Sequence, residues 1–300
     1  MEFIRPGTNF DFIRFRFVAL VISWILIAIG IGSFVYHGGP NYGIDFSGGV
    51  MVHLRFKDKV QIGSLRDALS TVHLGDSTIQ DFGANGTEFL VRLPVEATET
   101  SGLTQTITNA LKDKFGGDQF EVLRVELVGP RVGRELRQRA LLAVAFATLL
   151  MGAYIWLRFE LRFGVGAAIA LVHDVLIAAG ALSLANYEID LTVVAALLTV
   201  VGFSVHDTVI VCDRIRENMR KSRRDSMGTI INRSINETLS RTILTTGTAI
   251  LVVLSLFLLG GNVIRGFAFT LLIGFIIGTY SSIYIASPIV LWMDTGRARR

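Results

Sequence analysis

Six stretches of this 300-residue chain run for about 18 to 27 positions almost without charge: 17–36, 140–157, 163–184, 191–212, 242–259 and 266–292. A helix rises 1.5 Å per residue, so roughly 20 apolar residues cover the ~30 Å hydrocarbon layer of a bilayer. Every backbone polar group inside lipid must be satisfied within its own segment, which leaves the helix as the conformation for each run. The chain is 51% hydrophobic with a mean hydropathy of +0.53, which fits a polytopic membrane protein and not a water-soluble one. The first run has no small-residue cleavage site behind it and reads as a retained span.

Charge in the short connections sets the orientation. Residues 1–16 carry Arg5, Arg14 and Arg16, and the stretch 213–241 carries Arg214, Arg216, Arg220, Lys221, Arg223, Arg224 and Arg233. Lys and Arg concentrate on the cytoplasmic side, so both termini, 1–16 and 293–300, are expected inside. Segment 131–139 holds four arginines on the opposite side, a misfit tolerated beside a long translocated segment. Contact with lipid headgroups or a partner, or a solvated helix face, would each account for them. The formal charge of +4 is modest and sits in these loops, which argues for orientation and against nucleic-acid binding. One cysteine, Cys212, excludes an internal disulfide.

Residues 37–130 have a different texture. Strand-like runs at 50–56, 77–82, 88–93 and 120–128 alternate with helical spacing at 62–73 and 101–115, and residues 83–86 form a turn. The order β-α-β-β-α-β predicts a ferredoxin-like α+β domain on the periplasmic side, inserted between the first and second of six transmembrane helices. The remaining five spans form one region, 131–292. Ahead of this domain, Asn41-Tyr42-Gly43-Ile44-Asp45-Phe46-Ser47-Gly48-Gly49 ends in paired glycines, which predict backbone with positive φ. No lysine follows them and no helix opens after them, so a nucleotide-binding loop is discounted and no cofactor is expected.

The chemistry-bearing residues lie inside the spans. Asp207, with His206 beside it, sits in the fourth run; His173 and Asp174 sit in the third. An ionisable residue within a span is costly and by default functional; a carboxylate that only ties two helices together is the plainer reading. Arg241 stands at the inner mouth of the fifth run, with Thr245 and Thr248 on its helical face, and Arg233, Glu237 and Arg241 are spaced by four as a charge ladder. A carboxylate that moves between apolar and basic surroundings can load and release a proton, and an imidazole can share that task. Adjacent His and Asp project about 100° apart on a helix, a poor chelating geometry, so no metal is expected. HExxH and GxSxG are absent from the sequence, so hydrolysis has no visible machinery and an enzyme is not expected. His173 and His206 could equally be ordinary buried histidines. In the sixth run Gly266, Thr270, Gly274, Gly278 and Ser282 recur every four residues, a groove for another helix.

The glycine-rich segment 41–49, Val172-His173-Asp174, Gly202-Phe203-Ser204-Val205-His206-Asp207-Thr208, Asp213-Arg214-Ile215-Arg216-Glu217-Asn218 and the segment 234–242 follow one another in an order that resembles the SecD/SecF family of bacterial protein-export membrane proteins. The resemblance covers nearly the whole chain. It implies one half of a pseudo-symmetric bundle related to resistance-nodulation-division transporters, completed by SecD and associated with the SecYEG translocon, with YajC and YidC as further partners. It implies use of the proton motive force, late in translocation and after the SecA motor, to draw an exported unfolded preprotein across the bacterial inner membrane. It carries a role in proton coupling to Asp207 and Arg241, and marks Asp213, Arg214, Glu217 and Asn218 as the cytoplasmic end of the same helix. The family motif commonly has Tyr and Asn where this chain has Phe203 and His206, which alters the wiring beside Asp207. A proton-coupled exporter half acting on small molecules or lipids, and a purely structural assembly factor, are the rival readings. Sodium in place of the proton is left open by the residues alone.

Overall fold

The computed structural model describes residues 9–75, 77–81, 86–93, 102–222, 224–261 and 263–295. Arg5, the expected turn at 83–86 save Gly86, Arg223 and the basic tail 297–300 lie outside the described residues. The chain divides into two compact units, 42–141 and the remainder.

After α1 (Arg16–Tyr36), which belongs to the other unit, a single helical turn, α2 (Ile44–Ser47), leads into β1 (Gly49–Phe56), α3 (Ile62–Ser70), β2 (Thr78–Asp81), β3 (Glu88–Leu93), α4 (Leu103–Phe115) and β4 (Phe120–Val128) of the first unit. The four strands form one antiparallel sheet in the order β2-β3-β1-β4. That order, with two helices, is the ferredoxin-like arrangement expected from the sequence. Alternate residues of β1, Val50, Val52, Leu54 and Phe56, face Leu65 and Leu69 of α3 and Ile107 and Leu111 of α4 in one apolar core. Gly48 and Gly49 adopt φ +75° and +134°. At Gly49 a Cβ would lie 2.6 Å from the Leu93 carbonyl oxygen, so the backbone approach also requires glycine. β4 is an edge strand, and its Val125 and Leu127 stay exposed.

The second unit is helical: α1 (Arg16–Tyr36), the part of α5 (Pro130–Arg158) from Leu142 on, α6 (Leu161–Leu184), α7 (Leu191–Lys221), α8 (Met227–Leu259), α9 (Arg265–Ser281), a π-helical turn (Ser282–Ala286) and α10 (Ser287–Thr295). Among the described residues six helical segments are long and apolar enough to cross a membrane, the last being Arg265–Asp294. α5 starts at Pro130, ten residues before the apolar run begins, because proline is preorganised for a first helical position. The arginines at 131–139 are therefore helical; Arg139 pairs with Glu135 at 2.5 Å and Arg137 lies over the Tyr42 ring. The connection after α7 is also short: α7 continues to Lys221, and α8 begins six residues later at Met227, capped by Ser226, which accepts from Thr229 N. At the other end of α7, the Asp190 carboxylate accepts from Val193 N.

The small-residue stripe finds its partner within the chain. A Cβ at Gly274 would fall 2.1 Å from Val200 Cγ2, and one at Gly278 would fall 3.1 Å from Ser204 Cβ, so α9 lies directly on α7. α1 and α6 meet the same way, with Gly30 against Gly180 and Ser33 Oγ 2.9 Å from Ser183 Oγ.

Candidate functional site

α6, α7, α8 and α9 converge on two fully buried carboxylates. Asp207 and Asp174 are both 0% exposed. The close α7–α9 contact at Gly274 and Gly278 brings the hydroxyls of α9 against α7. Thr279 and Thr246 donate to Asp207 Oδ2 at 3.1 and 3.2 Å, and the two threonine hydroxyls lie 2.9 Å apart. Asp207 Oδ1 is buried and finds no hydrogen-bond partner among the described residues; the same holds for the Thr242 hydroxyl, one turn before Thr246 on α8. A buried oxygen with an unused lone pair is the atom at which a proton can arrive.

Asp174 has a full set of donors. Ser204 and Ser281 reach its Oδ2 at 2.6 and 2.8 Å, and His173 Nδ1 lies 2.9 Å from its Oδ1. Ser204 stands one turn before Asp207 on α7, and Ser281 stands two residues after Thr279 on α9. The His173 ring stacks on Tyr280 at 6.2 Å, and Tyr280 Oη donates to the Ala19 carbonyl at 2.6 Å.

The other candidates are elsewhere. His206 is exposed, turned away from the core that holds Asp207. Arg241 is exposed and lines an open cavity of about 670 Å³ with Tyr154, Arg158, Asp213, Arg214 and Glu237. The lining of this cavity includes Val209 and Ile210, two and three residues beyond Asp207 and so roughly 3 to 5 Å along α7. Of Asp213, Arg214, Glu217 and Asn218, Arg214 and Asn218 join α7 to α8 at this end, while Glu217 pairs with Arg214 and Lys221 of its own helix. Arg214 donates to Glu217 and Glu237 at 2.6 Å each, and Asn218 donates to Glu237 at 2.6 Å and to Ser234 at 3.0 Å.

Thr245 and Thr248 share the face of Arg241, as expected; that face is exposed, and their hydroxyls donate to carbonyls of their own helix. The threonines that reach inward are Thr242 and Thr246, about 100° around the helix from Arg241 and Thr245 respectively. The charge ladder does not form, because Glu237 is drawn to Arg214 and Asn218 of α7, and Arg233 pairs with Asp225 at 3.2 Å. Sequence reasoning also missed Ser204, Thr246, Thr279 and Ser281. The available signal was hydroxyl residues in otherwise apolar spans, two of them beside the small-residue stripe.

Comparison with known proteins places these features in a family. Residues 106–296 match the model for the C-terminal part of the protein export membrane proteins SecD/SecF, and residues 35–60 match the SecD/SecF GG motif. The protein translocase subunit SecF of Desulfurispirillum indicum is 50% identical over 287 residues, covering 94% of this chain and 90% of the relative. That of Escherichia coli O157:H7 is 41% identical, covering 96% and 89%. The crystal structure of SecDF, a translocon-associated membrane protein from Thermus thermophilus, superposes with a TM-score of 0.86 at 36% identity over 96% of this chain. SecDF in a super-membrane-facing form gives 0.71 at 38% identity over 99%. The chain spans 39% and 41% of those two longer chains.

Proposed function

The chain belongs to the SecD/SecF family of protein-export membrane proteins, serving Sec-dependent export in the bacterial inner membrane, and we propose that it couples the proton motive force to the late stage of translocation. Asp207 carries this reading. Its Oδ2 is clamped by two threonines while its Oδ1 is buried and open. A proton can therefore join or leave at Oδ1 without the Oδ2 clamp being rebuilt. The charge of the site changes while its packing stays, which is what a carrier between two sides needs.

The open cavity, whose lining includes Val209 and Ile210, lies within one turn of Asp207 along α7, at the end of α7 that we assign to the cytoplasm. Arg241 on its wall supplies a positive charge near that mouth, a barrier that favours release of a proton over its return. Arg214 and Asn218 of the motif Asp213, Arg214, Glu217 and Asn218 fix α7 to α8, and so keep Asp207 in register with Thr246. In this scheme the protein transports and does not catalyse a covalent reaction.

SecD completes the bundle, SecYEG is the channel served, and YajC and YidC join the same assembly. Both termini face the cytoplasm and the α+β unit the periplasm. There the open edge of β4, with Val125 and Leu127 exposed, suits an extended unfolded preprotein that adds as a strand, better than it suits a small molecule needing an enclosed pocket.

The test is gradient-dependent preprotein export in vesicles containing SecYEG, SecD and this chain, native against Asp207→Asn, with equal assembly verified by co-purification. The amide keeps the volume and cannot cycle a proton. We expect the gradient-stimulated part of export to vanish. Unchanged export would make Asp207 a structural tie and leave the chain an assembly factor.

A further inference from the structure

Asp174 is as deeply buried as Asp207, and the coupling scheme above makes no use of it. Two features set it apart from a carboxylate that merely holds helices together. His173, only 6% exposed, faces Asp174 Oδ1 through Nδ1, yet its Nε2 is buried and finds no partner among the described residues. The imidazole thus has a second, unoccupied proton position. Ser281 has one hydroxyl hydrogen and two acceptors in reach, Asp174 Oδ2 at 2.8 Å and the Gly278 carbonyl at 3.1 Å. One must be chosen.

We propose that Asp174 and His173 form a second proton-holding pair, and that the Ser281 hydroxyl passes the pair's charge state to Asp207 through α9. This rests on the coupling reading of Asp207 and deepens it. The step is a simple transfer: an imidazolium of His173 gives its Nδ1 proton to Asp174 Oδ1, leaving a neutral imidazole and a carboxylic acid. While Asp174 is charged, the Ser281 hydrogen bond to it is charge-assisted and wins. Once Asp174 is neutral that advantage goes, and the Gly278 carbonyl becomes an equal acceptor.

Gly278 immediately precedes Thr279, which clamps Asp207. Ser204, the other donor to Asp174, sits one turn from Asp207 on α7 and against Gly278. The two acids are therefore held by neighbouring residues of the same two helices. The five-residue π-helical turn that begins at Ser282 follows directly, the kind of irregularity that allows a helix to readjust. The ionisable groups around Asp174 are His173 on its own helix, Tyr280 from α9 and Asp207 from α7. From α1 comes the Ser23 hydroxyl, 3.1 Å from Tyr280 Oη.

The experiment is an infrared pH titration of the purified complex with SecD, following protonated-carboxyl bands in native protein, Asp174→Asn, Asp207→Asn and Ser281→Ala, together with the export assay. Each Asp→Asn change should delete one titrating band. Ser281→Ala, which removes a hydroxyl bonded to Asp174 and to the Gly278 carbonyl and not to Asp207, should move the midpoint of the Asp207 band by about half a unit or more. Asp174→Asn should lower gradient-dependent export at least about tenfold, with Asp174→Glu recovering part of it. The proposal falls if Asp174→Asn deletes no titrating band, or if Ser281→Ala leaves the Asp207 midpoint in place. Unchanged export in Asp207→Asn would instead overturn the coupling function, while the Asp174 band would still report on the second pair.

Discussion

The protein has two cores built on opposite terms. In the α+β unit the largest fully buried side chains among the described residues are Leu54, Leu65, Leu69, Phe89, Ile107 and Leu111, and the charged groups stay at the rim. In the helical unit the most buried positions include Asp174, Asp207, Ser204, Ser234, Thr270 and Ser281, while Trp24, Leu157, Leu259 and other large apolar groups point outward. Water drives the first arrangement, because burial of apolar surface is what stabilises it. Lipid is as apolar as leucine and offers no such drive, so the helices associate through small residues, close packing and hydrogen bonds. Polar groups that would weaken a soluble core are thus free to gather at the centre of the bundle, where proton chemistry can be done away from water.

Three substitutions sharpen or break this contrast. Phe89→Ala removes a 1% exposed ring from the sheet core and should cost the α+β unit about 3–5 kcal/mol, read as lost protease resistance of the 42–141 region while the helical unit stays folded. If the bundle melts with it, the two cores are not independent. Gly274→Ala puts a methyl group where Val200 already stands, and should cost the bundle about 1–3 kcal/mol through overpacking. A shifted thermal midpoint of the purified complex measures it; no shift would mean that small-residue contact is not what holds α7 to α9.

The smallest effect concerns Glu88. The hydrogen bond from Arg55 at 2.8 Å holds its carboxyl below the usual carboxylate range, with His53 assisting. A depressed value in the folded state contributes stability that is fully present above the unfolded value and is lost as pH falls through the folded one. Both partners are partly exposed, so Glu88→Gln should cost under about 1 kcal/mol near neutral pH and nothing once acid has protonated the native residue. Equal cost at both pH values would make Glu88 a packing residue.

The six spans, the inserted α+β unit and the family were legible in the sequence because each rests on a local pattern: uninterrupted apolar length, alternation of period two, and ordered motifs. The presence of Asp207 inside a span was legible for the same reason, since one carboxylate in an apolar run needs no neighbours to be conspicuous. Its surroundings were not. The sequence placed Thr245 and Thr248 on one face with Arg241, as they are, but carried no information on which face α8 turns towards α7. The Arg233–Glu237 spacing suggested an in-helix pair, and Arg214 and Asn218 from another helix took Glu237 instead.

What the amino-acid order determined by itself is where the helices run, where the sheet folds and which side chains are expensive to bury. What only the tertiary structure decided is which hydroxyls meet those side chains: Thr246 and Thr279 at Asp207, Ser204 and Ser281 at Asp174. The division has a physical cause. Helix and strand formation are set by residues a few positions apart, whereas the rotation of one helix against another is set by the sum of its contacts, here the seating of Gly274 and Gly278 on Val200 and Ser204, 74 residues away along the chain.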